Sequence, residues 1–442
     1  MKSGNTLALA ALALGGALPL AAQAPAQGAA PVTISVGDAL ARGRASGVTA
    51  AVARLAAQGV SLKRSEQAGA LLPQVDVTGT VQRGTLNLRE FGLSIPGFPA
   101  ITDPFTLFRG RLGASQVIFD PGLAARLREA RDTAIAAGLD ADRAGDLAAA
   151  AAGAAWLRLA GAEETVSARE QDSVTAFALL DIARSQVDAG TSPRIDRTRS
   201  ETAAAAVRIQ IAVARNERDR ARLELARAVD LPPGTPLAVG PEMSITADTL
   251  PTDIDAAIAV AKAHRPDLAA ERQRQDVLQR GLTAIRNEFI PTLSSSGYVE
   301  SSGTSTPTLA GTWNIGVYLS WSVFDGFRRV RRIDEQRVRL DAEAVRLHDL
   351  ESQVDADVRQ AVLDLASARD QLALATDRVR LAEEELSEAR DRFAAGVAGS
   401  VETTNAQSEV AAAHDAVIQA RLATGAAEIG AAQAMGLLNQ VH

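Results

Sequence analysis

Cysteine is absent from the 442 residues, which excludes a thiol nucleophile, a disulfide framework, a cysteine zinc site and a lipidated N-terminal cysteine. Histidine is nearly so. His264, His348, His414 and His442 are scattered, without ligand-like partners at metal spacing, so no metal centre or other cofactor is expected. Basic charge is not in excess: 46 Lys and Arg against 53 Asp and Glu give a net charge of −7, and an acidic chain of this kind is a poor partner for nucleic acid. No glycine-rich phosphate loop, Ser/His/Asp spacing or paired-carboxylate constellation is present, so no catalysis is expected. Aromatics are few, with ten Phe, three Trp and two Tyr.

Long hydrophobic runs are missing beyond the N-terminus, where Lys2 precedes an apolar stretch from Leu7 to Leu20 and then small residues. This reads as a secretory signal. Cleavage after Ala24-Pro25-Ala26 is favoured over cleavage after Ala22-Gln23-Ala24, which would leave proline next to the cut, so residues 1–26 are assigned as signal peptide. A retained membrane helix is the alternative, but the run is shorter than the ~20 residues a span requires. Membrane contact elsewhere must come from strands or an interfacial face.

What the chain does have is periodicity. From Phe327 to Gly396 there is no proline and, before Gly396, no glycine. Apolar residues recur every seventh position: Ile333, Leu340, Leu347 and Val354, then Leu365, Leu372, Val379, Leu386 and Phe393. That is a coiled-coil seam. The interval between Val354 and Leu365 is a four-residue stutter, which locally unwinds a left-handed supercoil. Beyond it Ala368, Ala375, Ala382 and Ala389 follow the large residues by three, so a partner helix can approach closely. At ~1.5 Å per residue such a helix is roughly 100 Å long, too long for a globule to wrap.

The organisation occurs twice. A helix is expected from Ser35 to about Leu72, where Pro73 ends it. A strand follows at 74–83, with Val75, Val77, Gly79 and Val81 alternating with Asp76, Thr78, Thr80 and Gln82. A second strand is expected at 108–119, with Phe108, Leu112, Ala114 and Ile118 opposite Arg109, Arg111, Ser115 and Phe119. Then come a long helix at 122–189, a turn at Gly190 and a return helix at 193–229, with Ser192 as N-cap and Pro193 in the first turn. A proline-rich linker occupies 232–252. After it Asp255-Ala256 answers Asp38-Ala39, Pro291 answers Pro73, Phe324-Asp325 answers Phe119-Asp120 and Gly396 answers Gly190, at offsets of 217, 218, 205 and 206 residues. The first repeat is thus 27–231 and the second 253–442, the latter with strands at 292–299 and 312–323, a long helix at 327–395 and a return helix at 400–437.

Twelve of the fifteen aromatics lie within residues 73–122 or 289–327. A small soluble sheet also favours aromatics, but this concentration, on strands of about ten residues, fits the girdles of an outer-membrane barrel. The girdle candidates are Phe108, Phe119, Tyr298, Trp313, Tyr318, Trp321 and Phe324. Four strands cannot close such a barrel, and open edges in lipid leave backbone groups unsatisfied. The chain must therefore oligomerise: two copies give eight strands filled by side chains, whereas three give twelve and a lumen. The fold class expected is mainly α with a small β part, a long antiparallel helical barrel continuous with a β-barrel.

The duplicated order, Pro73 and Pro291 before strands, Phe119-Asp120 and Phe324-Asp325-Gly326 after them, His264-Arg265-Pro266-Asp267-Leu268, and the turns at Gly190 and Gly396 resemble the TolC family of outer-membrane efflux proteins over nearly the whole mature chain. The resemblance implies a homotrimer with a twelve-stranded barrel in the outer membrane of a Gram-negative bacterium, an equatorial belt and a periplasmic helical barrel. It implies an exit duct for a tripartite efflux pump or a type I secretion system, in contact with outer-membrane lipid and docked to a periplasmic adaptor (a membrane fusion protein) and an inner-membrane pump of RND, ABC or MFS type.

The same resemblance implies that hairpin tips close the periplasmic end, with turns at Gly190, Pro193, Gly396 and Gly399, and that acidic residues just after the tip glycines line the aperture. By position these are Asp196 and Glu402. Threefold symmetry would set three Glu402 carboxylates round one axis and favour cations there. The family pattern has a second acid where this chain has Asn405, an arginine where it has Ala398 and a tyrosine where it has Phe393, so Arg194 and Arg197 are candidates for the missing partner of Asp196. The plainer reading of both acids is that they complement a helix dipole. Arg328, Arg329, Arg331 and Arg332 read first as a solvated helix face, with lipid headgroups or the lumen as the other reading. The main rival to a duct is a soluble periplasmic coiled-coil binding or structural protein, which leaves the strand alternation without a reason. A secreted hydrolase would need a site that the sequence does not show.

Overall fold

In the computed structural model, which describes residues 32–93, 96–240, 250–251, 253–305 and 309–440, the chain opens with strand β1 (Val32–Ile34). The expected signal peptide and the middle of the 232–252 linker lie outside the described residues. Helix α1 (Val36–Ser46) starts at a capping box: Asp38 N donates to Ser35 Oγ at 3.0 Å, and the Asp38 carboxylate in turn accepts from Ser35 N. Where the sequence suggests one helix to Leu72, the chain breaks at Gly47 into α1 and α2 (Val48–Gly69). The cause is close packing on the long helix behind. A Cβ at Gly43 would lie 2.5 Å from Ala152 Cβ and 2.8 Å from Ala148 O, and Gly47 then takes extended backbone.

Strands β2 (Gln74–Gly84) and β3 (Phe105–Phe119) follow, then α3 (Pro121–Asp188), whose N-cap Asp120 accepts from Leu123 N at 2.8 Å. Helix α4 (Arg194–Ala228) returns along α3, and β4 (Leu237–Val239) pairs in parallel with β1. The second copy comprises α5 (Ile254–His264), α6 (Pro266–Asn287), β5 (Thr292–Gly303), β6 (Ala310–Ser320), α7 (Arg328–Ala394) and α8 (Ser400–Ala434). The last expected strand therefore ends at Ser320 rather than Val323, and the third extends to Gly303. Among the described residues no helix is long and apolar enough to cross a membrane.

The largest core cluster sits where the two repeats meet. Trp156 of α3 is fully buried there, in one cluster with Leu225, Leu237, Val354 and Met435, and its Nε1 donates to Ile34 O at 2.7 Å. Beside it Arg265, 4% exposed, gives Asp267 two bonds (3.0 and 2.7 Å) and Asp357 a third at 3.0 Å. Along α7 the seam is apolar only from Val354 onward. Nearer the sheet Ile333, Leu340 and Leu347 are half-buried, and the buried positions are Arg329, Gln336 and Glu343. Gln336 Nε2 donates to Leu278 O of α6 at 3.0 Å, so hydrogen bonding takes over from apolar packing there.

The four long strands form one antiparallel sheet in the order β2-β3-β5-β6, leaving β2 and β6 as edges. Its register sorts the side chains. Val77, Leu112, Val299 and Trp313 form one row across all four strands, and Val75, Ala114, Gly297 and Ile315 form another. The opposite face carries the rows Thr78, Arg111, Glu300, Thr312 and Asp76, Gly113, Tyr298, Asn314.

Candidate functional site

Both hairpin tips are built alike. Gly190 N bonds Val187 O at 3.1 Å and Thr191 N bonds Gln186 O at 2.9 Å; Gly396 N bonds Phe393 O and Val397 N bonds Arg392 O, each at 3.0 Å. The glycines have φ of +75° and +73°, a conformation that disfavours any residue with a Cβ. Pro193 and Gly399 occupy the N-cap positions of α4 and α8. This corrects the reading of Ser192 as N-cap. Because Pro193 takes that place, Ser192 lies one residue outside the helix, and its Oγ donates instead to Asp196 Oδ2 at 2.7 Å.

Asp196 is buried, 5% exposed. Its Oδ1 accepts from Ser400 Oγ at 2.5 Å, and Arg199 Nη1 stands 3.8 Å away. Burial alone would raise the Asp196 carboxyl, but the Ser400 and Ser192 hydroxyls, the Ser400 backbone N–H and Arg199 outweigh it and hold the group below the usual aspartate value. Asp196 thus ties the first tip to the second instead of facing open space. Arg194 is exposed and makes no ion pair among the described residues, and Arg197 is half-buried.

Glu402 differs from its duplicate. It is about half-exposed and among the described residues pairs only with Arg392, at 3.5 Å, and Asn405 one turn on is exposed. Phe393 is not at a surface at all. It is 1% exposed, packed against Leu179 and Ala183, and its carbonyl accepts from Gln186 Nε2 at 2.7 Å; it belongs to the seam between hairpins. Sequence reasoning missed Ser400 and Arg392. The available signal was the offset of 206 residues, which sets Arg194, Asp196, Ser400 and Glu402 in one frame.

On the sheet the apolar face is largely exposed, from Phe108 at 42% to Val77 at 78%, with Trp313 and Ile315 at 76%. Phe119 joins this face and not the arginine face, because the register shifts between Val117 and Phe119 and places Phe119 opposite Leu293. Tyr298 and Tyr318 are corrected the other way. Tyr298 pairs with Asn314 on the polar face, with the Arg111 guanidinium 3.5 Å from its ring centre, and the Tyr318 hydroxyl donates to Asn314 Oδ1 at 3.4 Å. Arg109 pairs with Glu300 at 3.2 Å beside them. Trp321 and Phe324 lie past the end of β6, exposed at 59% and 73%. Among the described residues no group of His, Cys, Asp and Glu has metal-binding geometry.

Residues 257–437 match the family described as outer membrane efflux protein. A curated relative, Protein CyaE of Bordetella pertussis, is 24% identical over 259 residues, 58% of this chain; the match spans 55% of that protein's length. Among solved structures the chain resembles the CmeC outer membrane channel of Campylobacter jejuni (15% identity, TM-score 0.74, 91% of this chain and 85% of that one). It resembles VceC of Vibrio cholerae (13%, 0.73, 91% and 96%) and the open state of the MtrE outer membrane channel of Neisseria gonorrhoeae (18%, 0.72, 91% and 89%). At these identities the likeness is one of fold, and it extends over both repeats.

Proposed function

We propose, from the premise that the second repeat belongs to the outer membrane efflux protein family and that the chain has the fold of those channels throughout, that three copies form a duct across the outer membrane of a Gram-negative bacterium. The observation that carries this reading is the register of the sheet. It puts Val75, Val77, Phe108, Leu112, Trp313 and Ile315 on one bare face and Asp76, Arg109, Arg111 and Glu300 on the other, while β2 and β6 end in unpaired edges. An outer apolar band, a polar interior and no free edge are what a spanning barrel requires, and twelve strands leave a lumen.

The helices then carry the lumen roughly 100 Å into the periplasm. The tips close it, held by Asp196 and Ser400, and a ring of Glu402 side chains, each moderated by Arg392, favours cations at the entrance. That MtrE has an open state supports tips that part. Docked to a periplasmic adaptor and an inner-membrane pump, the duct serves efflux or type I secretion.

The test is conductance of the purified protein in a planar bilayer, with its mass in detergent measured in parallel. Trimers giving small discrete steps are expected. A monomer that needs no detergent and passes no current would overturn the reading in favour of a soluble periplasmic coiled-coil protein.

A further inference from the structure

The two repeats join strand to long helix in different ways. In the first, Asp120 caps α3 directly and Pro121 is its first residue. In the second, Gly326 and Phe327 intervene, both at positive φ (+69° and +65°), before α7 begins at Arg328. Positive φ is unfavourable for a bulky side chain, and the first repeat shows that the connection can be made without it. What the strained step does is hold an aromatic group outward. Phe327 is 64% exposed and meets Phe324 edge to face at 5.5 Å; Trp321 and Val323 continue the alternation of the apolar sheet face, with Trp321 Nε1 fixed to Phe289 O at 3.0 Å.

Arg329 holds the step in place. It is 4% exposed, donates to Asp325 Oδ2 at 2.8 Å, to Glu288 O at 2.6 Å and to Ser322 O, and lies 4.4 Å over the Phe289 ring. Arg332 pairs with the Glu288 carboxylate at 2.7 Å, whereas Arg328 and Arg331 are turned to solvent. Arg331 is 83% exposed and shares Asp334 with Arg337, at 3.5 and 3.3 Å; Arg328 is exposed and has no ion-pair partner among the described residues. Cations therefore outnumber the carboxylates they meet at this level, directly below a band of exposed aromatics.

Aromatic rings at headgroup depth with incompletely neutralised arginines just beyond them form a surface complementary to an anionic lipid boundary. We propose that the junction formed by Trp321, Phe324, Phe327, Arg328 and Arg331 is a binding surface for anionic phospholipid headgroups of the periplasmic leaflet. The aromatics sit among the upper acyl chains and the two arginines take the phosphates. This rests on the reading of the sheet as a membrane barrel.

The test uses the full-length trimer carrying Trp313→Phe, which leaves the buried Trp156 as a constant background and Trp321 as reporter. Brominated phosphatidylglycerol or brominated phosphatidylcholine is introduced at equal mole fraction into phosphatidylcholine vesicles, and quenching of Trp321 is read. Phosphatidylglycerol is expected to accumulate at the site by about fivefold per arginine, with the preference lost in Arg328→Gln/Arg331→Gln. The single variant Arg328→Gln, which removes no salt bridge among the described residues, halves the logarithm of the preference if the double variant does not assemble. Equal quenching by both lipids, or a preference that survives the arginine variants, overturns the proposal and leaves the barrel standing. Absence of quenching by either lipid overturns the barrel as well.

Discussion

Ser400 donates its hydroxyl hydrogen to Asp196 across 2.5 Å, joining the first residue of α8 to the first turn of α4. Ser192 occupies the other carboxylate oxygen. With both oxygens engaged, this is a contact between tips that a single substitution can remove. Asp196→Ala should raise the resting single-channel conductance, and Asp196→Asn, which keeps one acceptor oxygen, should fall between. Identical resting conductance in all three would show that the tips are held elsewhere.

The same contact fixes a pH dependence. Asp196 is held below its ordinary value of 3.8 by hydroxyl bonds that outweigh its burial. An acid whose folded pKa lies below its unfolded one stabilises the folded arrangement above the unfolded pKa and loses that contribution as pH falls through the folded value. Resting conductance should stay flat through neutral and mildly acidic pH and rise only below the ordinary aspartate range; the check is a pH series on wild type and Asp196→Ala, in which the variant lacks the acid limb.

Glu402 and Arg392 lie 3.5 Å apart at the second tip. Reversal potentials in a salt gradient should show weaker cation preference in Glu402→Gln and stronger preference in Arg392→Gln. Unchanged selectivity and unchanged divalent block in Glu402→Gln would assign that carboxylate to the helix dipole alone.

Glu343 is buried against α6, where burial first and then the nearby Glu271 carboxylate push its carboxyl above the ordinary 4.5, with Arg346 opposing at 3.0 Å. The folded state thus binds a proton that the unfolded state has released, so stability falls as pH rises above 4.5. Glu343→Gln should melt higher than wild type at mildly alkaline pH, and the difference should vanish near pH 4.5, followed by helical circular dichroism.

Adjacent residues on β6 should respond oppositely to one substitution. Ile315 stands on the apolar face, 76% exposed, and Asn314 on the polar face. Ile315→Arg should cost about 2–4 kcal/mol in the bilayer and deplete heat-resistant trimer on gels, whereas Asn314→Arg should leave it near wild type.

Much of this was readable in the sequence because two periods, seven and two, are long-range averages that single residues do not disturb. The Leu/Ala seam of α7 is buried at Leu365, Ala368, Ala382, Ala389 and Phe393, and the β2 alternation read at Val75, Val77, Gly79 and Val81 falls within one strand, Gln74–Gly84. What was misread depends on single contacts. The break at Gly47 comes from Ala148 and Ala152 on another helix. One irregular residue turns Phe119 to the other face, and Arg329 looks like its exposed neighbours until its carbonyl partners are seen. Asp196 and Glu402 occupy equivalent places in the duplication, yet one is buried by Ser400, where the duplicate has Arg194 in that frame.

The bare edges of β2 and β6 have a consequence for how the protein is inherited and inhibited. A sheet that its own chain cannot finish makes the proposed trimer an all-or-none object, since each seam needs two sound neighbours. A subunit damaged only along β2 or β6 would fold its helices normally, enter assembly and spoil the two good copies beside it. Variants of that kind should act dominantly over a wild-type copy in the same cell, whereas deletions should be recessive.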